Sequence, residues 1–398
     1  MLIRAAAAAT ILLSSASIVA AAPADAGNWR EAEAGALRRH VQLTRPEQFT
    51  KAGEAYFSPD ARWIIYEAVP RPAPGVEPDA FYSMFVARLR FDPAGHILGA
   101  EDPILVSPPG SANTCGFFDP SEPGRIIFGS TLVPPALGPA AGYQRGSHSY
   151  RWAFPKEMEV VTRTVPQITQ GVGSASPSAS LFATDGDLTP LWTRPGYDAE
   201  CAFSPDGRFV VHTRVDPDTQ DPDLYIYDTL TDTATPIVRK KGYDGGPFFS
   251  ADGRRICYRS DRRGDDLLQL FVTDLIPDVN AAGEPVTRLV EHQLTDNSDV
   301  NWAPYWHPSG SFLIYTSSAI SHRNYEVFSI EAPPFGEAST TRPLRTRRLT
   351  FADGFDGMPV FSNNGRWMMW TSQRGGVYAG EDRPSSQVWV AEVVDAAP

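Results

Sequence analysis

The sequence predicts an all-β protein: a six-bladed β-propeller of four-stranded antiparallel blades. Three observations support this prediction. Aromatic residues make up 11% of the 398-residue chain, which favours strands, and 36 Pro with 32 Gly favour many tight turns. A short motif with an aromatic residue at its start recurs six times along the chain. The later copies follow one another at a spacing of about 45 to 60 residues, which is typical of propeller blades.

Each copy of the motif predicts a β-hairpin. In the run FSPDGR from Phe203 to Arg208, Pro205 presets φ for the first corner of a turn and Gly207 accepts the positive φ that ends it. The aromatic residue before the turn and the apolar run after it form the first two strands of a blade. The aromatic anchors of the six copies are Phe57, Phe118, Phe203, Phe249, Trp306 and Phe361.

Further strands follow each hairpin. The predicted third strands are Ser83–Arg88, Ser180–Thr184, Asp223–Asp228, Leu268–Asp274, Tyr325–Glu331 and Gln387–Glu392. Predicted fourth strands are Thr235–Val238, Glu291–Thr295 and Thr346–Thr350.

The last copy has no fourth strand of its own before the chain ends. The stretch His40–Thr44 is similar to the fourth strands of other copies, so we expect it to complete the sixth blade and close the ring. Residues 40–398 are therefore predicted to form the propeller, and residues 27–39 a short N-terminal helix or linker. Two unrelated β-sandwiches would not explain a register shared by six copies.

The N-terminus has the pattern of an export signal. One positive charge at Arg4 precedes an apolar run, and Ala24-Asp25-Ala26 fits the small-x-small rule of signal peptidase. We expect residues 1–26 to be a signal peptide, which makes the mature protein periplasmic and free of a membrane span. Cleavage after Ala24 and an uncleaved membrane anchor are the alternatives.

The charge of the chain limits its partners. Thirty-five Lys and Arg against 47 Asp and Glu give a net charge of −12, which argues against nucleic-acid binding. We expect a monomer whose partner is an envelope protein or a peptide or glycan ligand.

The repeats resemble those of a known family. The run FSPDGR, an apolar stretch and then Thr-Ser or Ser-Asp-Arg is similar to the WD-type repeat of TolB-like six-bladed propellers. The resemblance covers Gln42 to Val394, the propeller alone, without the N-terminal α/β domain of TolB. It implies a non-enzymatic binding or scaffold module in the cell envelope.

One candidate binding site is a ring of polar residues at one mouth of the channel. The residues five positions before the anchors are Ala52, Asn113, Asp198, Asp244, Asn301 and Asp356. Five of these six are Asp or Asn, which could bind a cation or a basic or amide-rich segment of a partner. Alternatively, each side chain accepts backbone N–H groups of its own or the next blade.

A second candidate lies in an insertion in blade two, predicted between the second and third strands at residues 131–179. Loops of this length are usually functional or disordered. The insertion concentrates aromatic and cationic residues, as binding surfaces do. The candidate contact residues are Tyr143, Arg145, Tyr150, Arg151 and Trp152. The alternative is a lid that packs its aromatic residues over the ring.

No catalytic or metal-binding constellation is evident, so we expect no catalytic residues and no cofactor, although a divalent cation stays open. His212 and His307 occupy repeat positions that suit packing.

Buried thiols are expected for the three cysteines, with a Cys115–Cys201 disulfide as the alternative. The alternative function is a lyase- or hydrolase-type propeller enzyme that acts on a carbohydrate or lactone at the channel mouth.

Overall fold

The structure is a computed structural model that describes residues 28–136, 142–144, 149–151, 153–169, 188–337 and 343–398. The predicted signal peptide at residues 1–26, the predicted strand Ser180–Thr184, and the candidate residues Arg145 and Trp152 lie outside the described residues. Within the described ranges, no helix is long and apolar enough to cross a bilayer.

The protein folds as six antiparallel blades in a ring, as predicted. The strands of blade one are Phe49–Phe57, Trp63–Pro70, Ser83–Phe91 and Ile97–Ala100, and the short strand Ile104–Leu105 also pairs with Ser83–Phe91. The strands of blade three are Asp198–Phe203, Phe209–Val215, Pro222–Asp228 and Thr233–Val238. The strands of blade four are Asp244–Phe249, Arg255–Ser260, Gln269–Val279 and Pro285–Gln293. The strands of blade five are Asn301–Trp306, Phe312–Ser321, Asn324–Glu331 and Thr346–Arg348.

Blade two differs from the prediction. Its strands are Asn113–Phe118, Arg125–Ser130, Glu159–Thr164 and Thr189–Pro190, so the third strand begins well before the predicted Ser180. The insertion is therefore divided between two connections: residues 131–158 join the second and third strands, and residues 165–188 join the third and fourth. The first contains the hairpin Gly142–Gln144 with Ser149–Arg151, and the second begins with the helical turn Pro166–Thr169. The prediction failed because Val160 and Val161, rather than the later run, pair with Gly129 and Phe128.

The closure of the ring is confirmed. Blade six consists of Asp356–Phe361, Trp367–Ser372, Gln387–Val393 and the N-terminal strand Leu37–Gln42, which we call the closing strand. It begins a few residues earlier than predicted and pairs antiparallel with Gln387–Val393. The short helix Trp29–Glu33 precedes it.

The repeated turn is held by its own side chains. In blade three, the Ser204 hydroxyl donates to Asp206 (2.5 Å) and accepts from the backbone N–H of Phe209 (2.9 Å). Gly207 has φ +76°, the left-handed conformation that the motif predicts for its glycine. These turns lie on one face of the ring, and the first strands begin on the opposite face.

Each first strand carries a β-bulge three residues before its aromatic anchor, and this bulge shapes the channel. The bulge residues all have positive φ, between 42° and 59°, although five of the six are not glycine. They are Glu54, Cys115, Glu200, Gly246, Ala303 and Met358. A bulge bends the strand and re-aims its side chains, and here all six bulge residues line one cavity in the channel.

Candidate functional site

The predicted Asp/Asn ring lies at the starts of the first strands, and its carboxylates are buried beside basic side chains. Asp198 lies 3.2 Å from His212 Nε2, Asp244 lies 3.0 Å from Arg262, and Asp356 lies 2.6 Å from Arg374. Burial raises the pKa of Asp244 to about 6, against the lowering effect of the Ser260 hydrogen bond and of Arg262.

The two amides of the ring are also bonded within the fold. Asn113 Nδ2 donates to the carbonyl of Tyr82 in blade one (2.8 Å). Asn301 Oδ1 accepts from the Ser317 hydroxyl (2.9 Å). These contacts are to side chains and one carbonyl, whereas the structural alternative expected backbone N–H donors, of which the N–H of Lys240 bonds Asp244 (3.2 Å). Binding of a partner by the ring stays a prediction.

The insertion of blade two reaches the mouth of the channel at Phe154. The Phe154 ring lies 5.0 Å from that of Tyr197 and 5.9 Å from that of Tyr243, measured between centroids. This packing corresponds to the predicted lid. The backbone of the hairpin places Tyr143 opposite Tyr150 and Arg151 opposite Gly142.

Aromatic side chains close the channel halfway. Tyr56, Phe117, Phe248 and Tyr305, each one residue before an anchor, meet with ring centroids 5.0 to 5.7 Å apart at three contacts. This plug separates a cavity lined by Glu54, Glu200 and Arg259, which we call the cup, from a cavity on the turn face whose lining has no charged side chain. The cup is therefore a blind pocket that opens toward the loop-bearing face.

Glu54 is the carboxylate at the centre of the cup. It accepts hydrogen bonds from Cys115 Sγ (2.7 Å), Thr114 Oγ1 (3.3 Å) and the Tyr56 hydroxyl (3.3 Å), all neutral donors. Burial raises the pKa of Glu54, because desolvation penalises its charged form. Burial also raises the pKa of neighbouring Glu67, and the charge of Glu54 adds to this effect.

Glu200 also lines the cup, but Arg259 already balances its charge. Its Oε2 lies 3.2 Å from Arg259 and accepts from the Tyr243 hydroxyl (2.7 Å) and the backbone N–H of Gly246 (2.5 Å). The Arg259 guanidinium lies over Gly246, where a Cβ would come within 2.0 Å of Arg259 Nη1. The glycine at this bulge is therefore what allows the ion pair to form.

The cup is small and has an aromatic wall at Trp302. Its volume is about 80 Å³. Among the described residues, no group of three or more His, Cys, Asp and Glu side chains could hold a metal ion.

The three cysteines are free and buried, as expected, and the alternative disulfide is not present. Cys201 Sγ instead lies 3.7 Å from the carbonyl oxygen of Cys115. Burial raises the pKa of each thiol, so none has the character of a reactive thiolate.

Sequence reasoning missed the residues that line the cup. Counting three residues back from each anchor, instead of five, gives all six bulge residues. Of the six bulge residues, only Glu54 and Glu200 are charged. The repeat alignment therefore shows no common residue type at the bulge position.

Comparison with known proteins identifies the fold. Neither protein-family models nor curated protein sequences match the chain. TolB from Acinetobacter baumannii is similar in structure, with a TM-score of 0.51 and 15% identity, over 85% of this chain and 65% of that one. This chain therefore spans 65% of the length of that TolB. The protein has a TolB-like six-bladed propeller fold, as its repeats predicted.

Two other solved structures are also similar. A putative TolB from Agrobacterium tumefaciens has a TM-score of 0.48 and 15% identity, over 87% of this chain and 91% of that one. An oligogalacturonate lyase from Vibrio parahaemolyticus has a TM-score of 0.44 and 11% identity, over 90% and 94%.

Proposed function

We propose that the protein is a non-enzymatic binding module of the cell envelope, and that its cup receives a cationic side chain from an extended segment of a partner protein. The observation that carries this proposal is the Glu54 carboxylate, which lies in a blind pocket and is bonded to neutral donors. The envelope location rests on the sequence pattern of residues 1–26.

The charges of the cup favour a cation. Arg259 pairs with Glu200, whereas no described cation lies within 4 Å of Glu54. An incoming ammonium or guanidinium group would pair with a carboxylate that has already lost most of its hydration. Removing one partner of such a buried charge pair typically weakens binding by about 2–5 kcal/mol.

The size of the cup favours a single side chain. A volume of about 80 Å³ suits the end of one Lys or Arg side chain. The rest of the bound segment would lie against the aromatic residues of the mouth, including Trp302 and Phe154. Peptide recognition commonly combines such an anchor with backbone contacts around it.

The test is selection of peptides from a random displayed library on the purified protein, followed by fluorescence anisotropy with the synthesised winners. We expect selected peptides to share a Lys or Arg, and Glu54→Gln to raise Kd at least tenfold, on the order of 1.4 kcal/mol. Replacing the shared cation with norleucine should have a similar effect.

Glu47→Gln is the matched control, since Glu47 is exposed and does not line the cup. A library that yields no peptide, or peptides that bind Glu54→Gln as well as the unchanged protein, would contradict the proposal.

A second candidate is the enzyme alternative, which one observation favours. Burial raises the pKa of both Glu54 and its neighbour Glu67, as a general acid at neutral pH requires. Turnover of a carbohydrate or lactone that disappears in Glu67→Gln, with peptide binding unaffected, would favour this candidate over the binding module.

A further inference from the structure

A groove lined by arginines lies outside the channel, on the turn face between blades six and one. We call it the closure groove. Its volume is about 450 Å³ and its charged lining is Arg62, Arg88, Arg366 and Asp60. This cluster of guanidinium groups stands out on a protein with a net charge of −12.

The guanidinium groups of the closure groove have few close partners among the described residues. Arg62 lies 4.0 Å from Asp60, and Arg88 lies 3.9 Å from Glu101, distances beyond a hydrogen bond. Arg366 is better bonded: its Nε donates to Glu392 (3.3 Å) and its Nη2 lies 3.2 Å from His96 Nδ1. Arg62 and Arg88 therefore offer most of their N–H donors to a ligand.

The carboxylates near the groove are already engaged. Asp60 accepts from the Ser58 hydroxyl (2.7 Å) and from the backbone N–H of Arg62 (3.0 Å). Glu392 is shared by Arg366, Arg38 (2.9 Å) and Arg39 (3.4 Å). One carboxylate thus faces three arginines, which leaves an excess of positive charge at the edge of the groove.

We propose that the closure groove binds a small molecule with two or more oxyanion groups, such as phosphates or carboxylates. The planar guanidinium group matches both chemistries, because it can donate two parallel N–H bonds to either oxyanion. One oxyanion would contact Arg62 and Arg88 of blade one, and another would contact Arg366 of blade six.

The position of the groove couples this ligand to closure of the ring. Arg366 precedes the second strand of blade six, whereas Arg62 and Arg88 belong to blade one. A ligand that bridges them holds blade one against blade six, the blade in which the first and last strands of the chain pair. Because such a ligand binds only the closed ring, it raises the unfolding temperature by mass action.

Thermal unfolding with inorganic pyrophosphate, citrate and sodium chloride at matched ionic strength tests the proposal. We expect a saturable rise of several degrees in Tm with pyrophosphate, citrate or both, and none with chloride. A rise with pyrophosphate alone assigns the groove to phosphate ligands, and a rise with citrate alone assigns it to carboxylates.

The double variant Arg62→Gln/Arg88→Gln should lose the saturable rise. Arg323→Gln/Arg345→Gln in blade five, which removes two exposed arginines, should retain it. A shift that does not saturate, that chloride reproduces, or that persists in Arg62→Gln/Arg88→Gln would overturn the proposal. Isothermal titration of the unchanged protein with the same two anions measures Kd independently of unfolding.

Discussion

Arg374 is a fully buried cation that joins two carboxylates from distant parts of the chain. Its side chain has no exposed surface and lies 2.9 Å from Glu33 of the N-terminal helix and 2.6 Å from Asp356 of blade six. The Trp29 ring covers the guanidinium group at 4.2 Å. This cluster links Asp356, a member of the predicted Asp/Asn ring, to the N-terminal helix Trp29–Glu33, which precedes the closing strand.

Arg374→Met should therefore destabilise the protein strongly, because it leaves Glu33 and Asp356 buried without their cation. We expect the free energy of unfolding to fall by about 3–5 kcal/mol. Urea unfolding followed by circular dichroism measures this change. Arg345→Gln, whose ion pair with Glu331 is exposed, should change stability by less than about 0.5 kcal/mol. Equal effects of the two variants would contradict the structural role of Arg374.

Glu159 makes stability depend on pH near neutrality. Burial raises the pKa of Glu159 to about 7, and its Oε2 has no hydrogen-bond partner in the described structure. Since the folded state holds this proton more tightly than the unfolded state, stability falls as pH rises from the usual carboxyl pKa through about 7. Glu159→Gln should flatten the profile between pH 5 and 8, measured by thermal unfolding. The neighbouring Glu157→Gln serves as the control, and an unchanged slope in Glu159→Gln would contradict the assignment.

At the residue scale, the sequence predicted the polar positions but not their roles. Repeat alignment located Asp198, Asp244 and Asp356 correctly at the starts of first strands, and it could not show their buried partners. His212 lies in the second strand of blade three and Arg374 just after the second strand of blade six. Pairing of first and second strands, which the repeat alignment does not show, brings them close to Asp198 and Asp356. Glu54 and Glu200 were missed because a bulge at residues other than glycine has no compositional signal.

Among the elements of the fold, the six bulges determine what the channel contains. Each bulge places one residue in the lining of the cup, and in four blades the residue two positions later belongs to the aromatic plug. Gly246 differs from the other bulge residues because the Arg259 guanidinium occupies the space of a side chain. Ala303 adopts nearly the same φ (51° against 59°), so the backbone conformation alone does not require glycine there.

Gly246→Ala should displace Arg259 and weaken its pairing with Glu200. We expect a loss of about 1–3 kcal/mol in unfolding free energy, as for other substitutions that overpack a buried site. Gly264→Ala is the matched control, because Gly264 has φ +71° and a Cβ added there would meet nothing within 4 Å. It measures the backbone cost alone. A Gly246→Ala loss no greater than that of Gly264→Ala would argue against the steric explanation.

The closing strand should contribute a large share of the stability. A chain that begins at Leu43 lacks every pairing between Leu37–Gln42 and Gln387–Val393 and leaves the latter as an open edge. We expect most of a total that is typically about 5–15 kcal/mol to be lost in urea unfolding. A chain that begins at Leu37 keeps the strand but loses Glu33, so it should be intermediate. Full stability of the chain from Leu43 would show that the pairing is dispensable.

Strand prediction failed in blade two for a physical reason. Short apolar runs at residues 159–164 and 180–184 both fit a third strand by composition, and only pairing with Ile126 and Phe128 distinguishes them. Blades without an insertion offer a single run after each hairpin, so their third strands were predicted closely.

For the whole molecule, the repeats were sufficient to predict a closed ring of six blades, including the strand that closes it. The repeats did not show the closure groove: Arg62 and Arg366 occupy the same motif position in two copies, but Arg88 lies in a third strand, and the three meet only where blades six and one adjoin. Fold was thus predictable from periodicity, whereas both proposed sites depend on side chains brought together by closure.

Export is a prediction that concerns the whole chain. Protein recovered from a periplasmic fraction should begin at Gly27, because Ala24 and Ala26 fit the signal-peptidase rule. N-terminal sequencing checks this. Ala26→Arg should block processing and leave a longer precursor, whereas Ala22→Ser should be processed normally. An unprocessed chain that begins at Met1 in the soluble cytoplasmic fraction would contradict the prediction.

The pairing of Leu37–Gln42 with Gln387–Val393 has a consequence for biosynthesis. The ribosome makes Leu37–Gln42 long before it makes Gln387–Val393, its partner in blade six. The sixth sheet therefore cannot assemble until Gln387–Val393 has emerged. Such a delay would suit the export that the pattern of residues 1–26 predicts.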